Sequence, residues 1–128
     1  MVIEKKKMYR LKYTKSFAAA HRLKETPSLK TDKCKNLHGH TYFVTIQIET
    51  DRLVDGMVID FGELKEIINQ LDHQFLNDFL DNPTTENLSK YIYDKVYEKI
   101  KKKISRFGLV VEVKESDNSS ITYTESNL

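Results

Sequence analysis

Cysteine is almost absent from this 128-residue chain. With Cys34 alone, no disulfide can form within it. Proline is also scarce: Pro27 and Pro83 both fall between patterned segments, so neither interrupts an element. No apolar run approaches the roughly 20 residues that a membrane helix needs. The start, MVIEKKKMYRLKY, is basic but has no apolar h-region and no small-residue cleavage site, which reads as a cytoplasmic protein. No linker, repeat or low-complexity stretch divides the chain, so residues 1–128 are expected to form one domain. Excess charge is lacking too: 21 Lys+Arg against 19 Asp+Glu leave +2, too little to argue for nucleic acid or a membrane surface. The run Lys99, Lys101, Lys102, Lys103 reads as a solvated helix end favoured by the dipole.

The hydrophobic residues that are present follow clear periods. In residues 8–21, Tyr9, Leu11, Tyr13 and Phe17 share a parity that continues to Ala19 and His21, a strand with one buried face. Residues 22–37 are polar, carry Pro27, Thr31, Asp32 and Asn36, and read as a loop. Residues 38–50 alternate again, with Tyr42, Val44, Ile46 and Ile48 in phase with His38 and His40. Asp55-Gly56 marks a turn. Asp60 with Glu63 three residues later predicts a capping box, followed by a helix through Leu64, Ile67, Ile68, Leu71 and Phe75. Asn82-Pro83-Thr84 breaks that helix. The stripe Leu88, Ile92, Val96, Ile100, Ile104 predicts a second helix, ended by Gly108. Leu109, Val111 and Val113 alternate as a third strand whose inward parity continues to Glu115. Asp117-Asn118-Ser119-Ser120 is a turn signal, and Ile121 and Tyr123 begin a fourth strand. The order β-β-α-α-β-β predicts an α+β fold, an antiparallel sheet with two helices on one face. Its two open edges predict an oligomer.

Chemistry concentrates in the histidines. His38 and His40 are two apart on a strand, so their side chains leave the same side and can share one metal. His21 supplies a third imidazole if the two strands are neighbours. Three neutral imidazoles suit zinc and leave a fourth position open, the mark of a catalytic site. Gly39 between the two could mark a bulge. Three readings are open for Cys34: a fourth ligand that closes the site, a thiol beside the metal, usable as a base or nucleophile, or a buried inert thiol. Two are also open for His73, near the end of the first helix: a proton shuttle beside Asp72, or a residue favoured by the helix dipole. Glu115 either grips a planar N–H pair such as a guanine-like edge or reaches solvent.

Six segments, FAAAHRL (17–23), CKNLHGHTY (34–42), GMVIDFGELK (56–65), LDHQFLND (71–78), NPTTENL (82–88) and VKES (113–116), stand in the order seen in the 6-pyruvoyl-tetrahydropterin synthase / 6-carboxytetrahydropterin synthase family, which the chain resembles over nearly its whole length. The Cys-x-x-x-His-Gly-His spacing is similar to the bacterial 6-carboxytetrahydropterin synthase branch. The resemblance implies the tunnelling fold, a ββααββ unit whose sheets join into a barrel in trimers, with two trimers stacked as a homohexamer. It implies zinc on His21, His38 and His40, Cys34 as catalytic base, Asp72 and His73 as an acid/base pair, and Glu115 as pterin anchor. Thr84, Thr85 and Glu86 are implied to lie near the pterin pocket. The stretch Ser116-Asp117-Asn118-Ser119-Ser120 is more polar than the family pattern.

The implied activity is a lyase reaction, 7,8-dihydroneopterin triphosphate going to 6-carboxytetrahydropterin with release of acetaldehyde and triphosphate, in queuosine synthesis. The sibling 6-pyruvoyl synthase reaction is the nearest alternative. A non-catalytic zinc-binding module closed by Cys34 is an alternative of another class, and a pterin-binding protein without catalysis is a third. Arg22, Lys24 and Lys35 are candidates to receive the triphosphate or to be merely solvated.

Overall fold

Alternation along residues 9–21 and 38–50 becomes two thirteen-residue strands, β1 (Tyr9–His21) and β2 (His38–Thr50), paired antiparallel along their whole length. The computed structural model describes residues 3–30 and 32–126, so Thr31 of the expected loop lies outside the described residues. The loop holds one short 3-10 turn, Asp32–Lys35. After β2, Val54 and Met57 bridge across Asp55-Gly56, whose φ angles of 53° and 77° make the glycine the natural occupant of the second turn position. Then follow α1 (Phe61–Asn69), a two-residue strand β3 (Gln74–Phe75), α2 (Thr85–Lys101), β4 (Gly108–Ser116) and β5 (Ser119–Tyr123).

The sheet order is β3-β1-β2-β4-β5, antiparallel except for the β1–β3 pair. Its buried side chains share one parity: Phe17 and Ala19 on β1, Tyr42, Val44, Ile46 and Ile48 on β2, Leu109, Val111 and Val113 on β4. Leu64, Ile67 and Ile68 of α1 and Leu88, Ile92, Val96 and Ile100 of α2 pack on that face in one core cluster. The opposite face is mostly polar, with Thr14 bonded to Thr45 and Arg10 paired with Glu49, and it also exposes Phe43. Beyond its pairing with β3 at Ala19 and Ala20, the outer edge of β1 has no strand partner among the described residues.

Several expectations need correction. The first helix stops at Asn69, short of His73 and Phe75. There the chain is drawn to the edge of β1: the His73 amide donates to the Ala18 carbonyl at 2.6 Å, His73 takes a left-handed φ of 60°, and Gln74–Phe75 pair with Ala19 and Ala20. These bonds replace the i−4 ladder and create the fifth strand. Only half of the capping box forms, since Asp60 accepts from the Gly62 amide while Glu63 turns to Lys103 at 2.9 Å. The second helix stops at Lys101, before Gly108, although one more bond from the Ile104 amide to the Ile100 carbonyl keeps Ile104 buried. Gly39 lies in regular register opposite Ala20, so there is no bulge there. The bulge falls at Glu115, between the pairs Lys114–Ser120 and Ser116–Ser119. Asp117-Asn118 form the two-residue turn of the β4–β5 hairpin, which accounts for the polar stretch.

Candidate metal centre and active site

The register of β1 on β2 sets His21 directly across from His38 and Ala19 across from His40. Strand parity then turns all three imidazoles to the helix-covered face. Their ring centroids lie 4.5, 5.1 and 4.9 Å apart. One ring nitrogen from each falls within 4.8 Å of the others, a group able to hold a metal ion.

Backbone carbonyls settle the tautomers. A carbonyl only accepts, so Nδ1 of His21, 2.8 Å from the Pro83 oxygen, carries a proton, and so does Nδ1 of His38, 2.7 Å from the Asn36 oxygen. In the neutral rings both Nε2 atoms then present lone pairs, 2.9 Å apart. Two lone pairs at that separation repel unless a cation or a proton lies between them. Nε2 of His40 is buried without a hydrogen-bond partner among the described residues. Three inward-facing nitrogens, two of them oriented by outer-shell carbonyls, fit a metal that takes imidazole.

His21 is 1% exposed. Burial is the largest cause holding its pKa below the usual 6.5, and the neighbouring His38 and His40 push the same way against the opposing Pro83 bond and Glu115. The ring is thereby kept in the neutral form a metal requires. The sign for stability follows directly. Below pH 6.5 the unfolded chain takes up a proton at this ring before the folded one does, so folding weakens as pH falls toward the depressed folded pKa. Asp72, held below the usual carboxylate range first by the Ala18 amide and then by His73, adds a loss of the same sign at lower pH. Thermal melts of the metal-free protein between pH 8 and about 5 are expected to show a falling melting temperature below about pH 6.5. A flat profile would count against the buried neutral ring.

Glu115 stands beside this cluster. The bulge frees it from the ladder, and its Oε2 accepts from the Thr85 hydroxyl at 2.6 Å while Oε1 lies 3.4 Å from His40 Nε2. Thr85 is the first residue of α2, and a carboxylate is favoured at that helix end. The hydroxyl of Thr84 is committed to the helix cap, accepting from the Asn87 amide, and Glu86 is exposed in the first turn. Of these three residues only Thr85 touches the cluster's surroundings through its side chain.

Asp72 uses both oxygens: Oδ1 accepts from the Ala18 amide at 2.9 Å, and Oδ2 is 3.1 Å from His73 Nδ1. The pair is oriented, but it sits on the sheet edge with the His73 side chain 82% exposed. Half-buried Cys34 lies in the 3-10 turn and its carbonyl accepts from the Leu23 amide at 2.8 Å. Its sulfur is not among the clustered ligand atoms. Lys24 and Lys35 pair with Asp81 and Glu25, and the Arg22 guanidinium lies over the Phe75 ring.

Sequence reasoning missed two neighbours of the metal group. Tyr42, fully buried, places its hydroxyl 3.2 Å from His21 Nδ1, and burial followed by nearby Glu115 drives its pKa well above the usual 10. Its parity with His38 and His40 was the available signal. Pro83 acts through its carbonyl, which no side-chain pattern reveals.

Comparison with known proteins places this geometry. Residues 10–126 match the protein family described as 6-pyruvoyl tetrahydropterin synthase. The dihydroneopterin monophosphate aldolase of Pyrococcus furiosus is 36% identical over 91 residues, covering 68% of this chain and 74% of that protein. The 6-carboxy-5,6,7,8-tetrahydropterin synthase of Synechocystis is 38% identical over 95 residues, covering 65% and 70%. Among solved structures, 6-pyruvoyl tetrahydropterin synthase of Caenorhabditis elegans superposes with a TM-score of 0.70 at 25% identity, covering 97% of this chain and all of that one. The sheet and its two helices are thus the tunnelling fold.

Proposed function

The chain belongs to the 6-pyruvoyl tetrahydropterin synthase family, and from that we propose that it is a zinc-dependent 6-carboxy-5,6,7,8-tetrahydropterin synthase acting as one domain. The observation that carries the reading is the three-imidazole cluster, with two tautomers set by carbonyls and a buried unpartnered His40 Nε2 beside the Glu115 carboxylate. Similarity to 6-carboxy-5,6,7,8-tetrahydropterin synthases, the Synechocystis protein among them, supports the branch.

His21, His38 and His40 would hold zinc, which when bound supplies Lewis-acid polarisation of side-chain hydroxyls on 7,8-dihydroneopterin triphosphate. Glu115, fixed by Thr85, accepts the N–H pair of the pyrimidine edge. Cys34, as thiolate, takes the carbon-bound proton next to the ring. His73 handles the second proton at Nε2, because its Nδ1 faces Asp72. Side-chain cleavage consumes one water, whose oxygen enters the carboxylate, and releases acetaldehyde and triphosphate; the product serves queuosine synthesis in the cytoplasm. An acid/base pair on an exposed sheet edge, next to the open edge of β1, suits a homo-oligomer in which copies join edge to edge, a hexamer of two trimers.

Product analysis tests the choice. Incubation with zinc and 7,8-dihydroneopterin triphosphate is expected to give 6-carboxytetrahydropterin by mass spectrometry, with acetaldehyde and triphosphate. A pyruvoyl product without acetaldehyde would assign the sibling synthase reaction. A 6-hydroxymethyl pterin with a phosphorylated two-carbon aldehyde would assign aldolase chemistry, the activity named for the Pyrococcus furiosus relative.

A further inference from the structure

The outer edge of β1 continues past the sheet at its histidine end, and side chains complete what a strand would otherwise supply. Asp72 and the His73 amide take the N–H and C=O of Ala18, and β3 pairs with Ala19 and Ala20. Beyond that point the partner is Asn77. Its Oδ1 accepts from the Arg22 amide at 3.0 Å and its Nδ2 donates to the Arg22 carbonyl at 3.0 Å. Asn82 follows, accepting from the Lys24 amide at 2.9 Å while Asn87 holds its own carbonyl.

The other edge of the same segment carries the site. His21 faces His38 there, and the Leu23 amide donates to the Cys34 carbonyl at 2.8 Å. Extended residues present their peptide groups to alternate edges, so fixing Arg22 on one side aims His21 and Leu23 toward the other. Arg22 therefore links the ligand His21 to the residue that locates Cys34. A carboxamide can copy a strand here because it accepts and donates in one plane, as a peptide does. Alanine does neither, and aspartate only accepts.

We infer that Asn77 is a positioning residue that holds the proposed metal ligand His21 and the backbone of Cys34 in one frame. The part that concerns Cys34 in catalysis rests on the function proposed above; the geometric part does not.

The test uses the full chain with Asn77→Ala, Asn77→Asp and the parent. Zinc affinity is measured by competition with a chromophoric chelator. Alkylation by iodoacetamide is timed on metal-free protein, where the sole cysteine makes the signal specific to Cys34. Folded Asn77→Ala is expected to bind zinc about tenfold more weakly and to alkylate about threefold faster as the loop loosens. Asn77→Asp, which keeps the acceptor for the Arg22 amide, is expected between it and the parent. It carries both measurements if the alanine variant does not fold. Parent-like affinity and parent-like alkylation in a folded variant would overturn the inference. Weaker zinc with unchanged alkylation would overturn its Cys34 half. A wrong functional reading shows up elsewhere, as a parent protein that makes no pterin product.

Discussion

Replacing Cys34 by alanine is expected to lower kcat by about a thousandfold while zinc stays bound at the parent stoichiometry. General-base removal normally falls in that range, and the alternative bases are poorly placed: Glu115 is engaged by Thr85 and faces His40, and His73 is tied to Asp72 on the sheet edge. The retained zinc is the discriminating half of the result. Cys34 lies outside the group of clustered ligand atoms, so its loss leaves all three imidazoles in place. Metal analysis of the purified variant beside steady-state kinetics checks both halves. Loss of zinc together with activity would instead assign the sulfur to a closed, structural site and remove the case for an open coordination position.

The second large effect concerns His21. The ring is buried, packs edge-on against His38, His40 and Tyr42, and donates to the Pro83 carbonyl. His21→Ala should abolish zinc binding and also weaken the metal-free fold. Leaving the buried Pro83 carbonyl without its donor costs about 1–3 kcal/mol, and the emptied volume adds to that. A total of roughly 2–4 kcal/mol is expected, visible in urea or thermal unfolding of metal-free protein. His38→Ala separates the two contributions. His38 is less buried and its Nδ1 bond to Asn36 spans only two residues, so its loss should remove the metal with little effect on the metal-free fold. Equal destabilisation by the two variants would show that the Pro83 bond contributes little.

The Pro83 contact has a structural corollary. Pro83 precedes the Thr84 cap of α2, and Thr85 begins that helix with its hydroxyl on Glu115. One short segment thus holds the proposed metal ligand His21 by a carbonyl and the proposed pterin anchor Glu115 by a hydroxyl. Whatever shifts the start of α2 moves both.

Much of this was legible in the residues. The two-residue period delivered β1 and β2 with their buried faces, because successive strand side chains alternate whatever the partner. The same rule put His38 and His40 on one side and kept Glu115 in inward phase. The α2 stripe announced itself at i, i+4 spacing, and all five residues are buried, Ile104 just past the end of the helix. Each of these patterns is a property of the local chain. The end of α1 was not legible: Leu71 and Phe75 continue its spacing, yet the Ala18 peptide group, more than fifty residues away, outbids the helix for Asp72 and His73. Nor could composition show that His21 meets His38, which depends on register, or that Glu115 sits on a bulge.

The sequence by itself determined which faces are buried and which imidazoles share a side, since periodicity is written into neighbouring residues. Tertiary structure alone decided that the third histidine closes the group, that the carbonyls of Pro83 and Asn36 set its tautomers, and that asparagine side chains finish the edge of β1. Those bonds join peptide groups to residues distant in the chain or carry no side-chain signature. Only the packed fold brings such partners within reach.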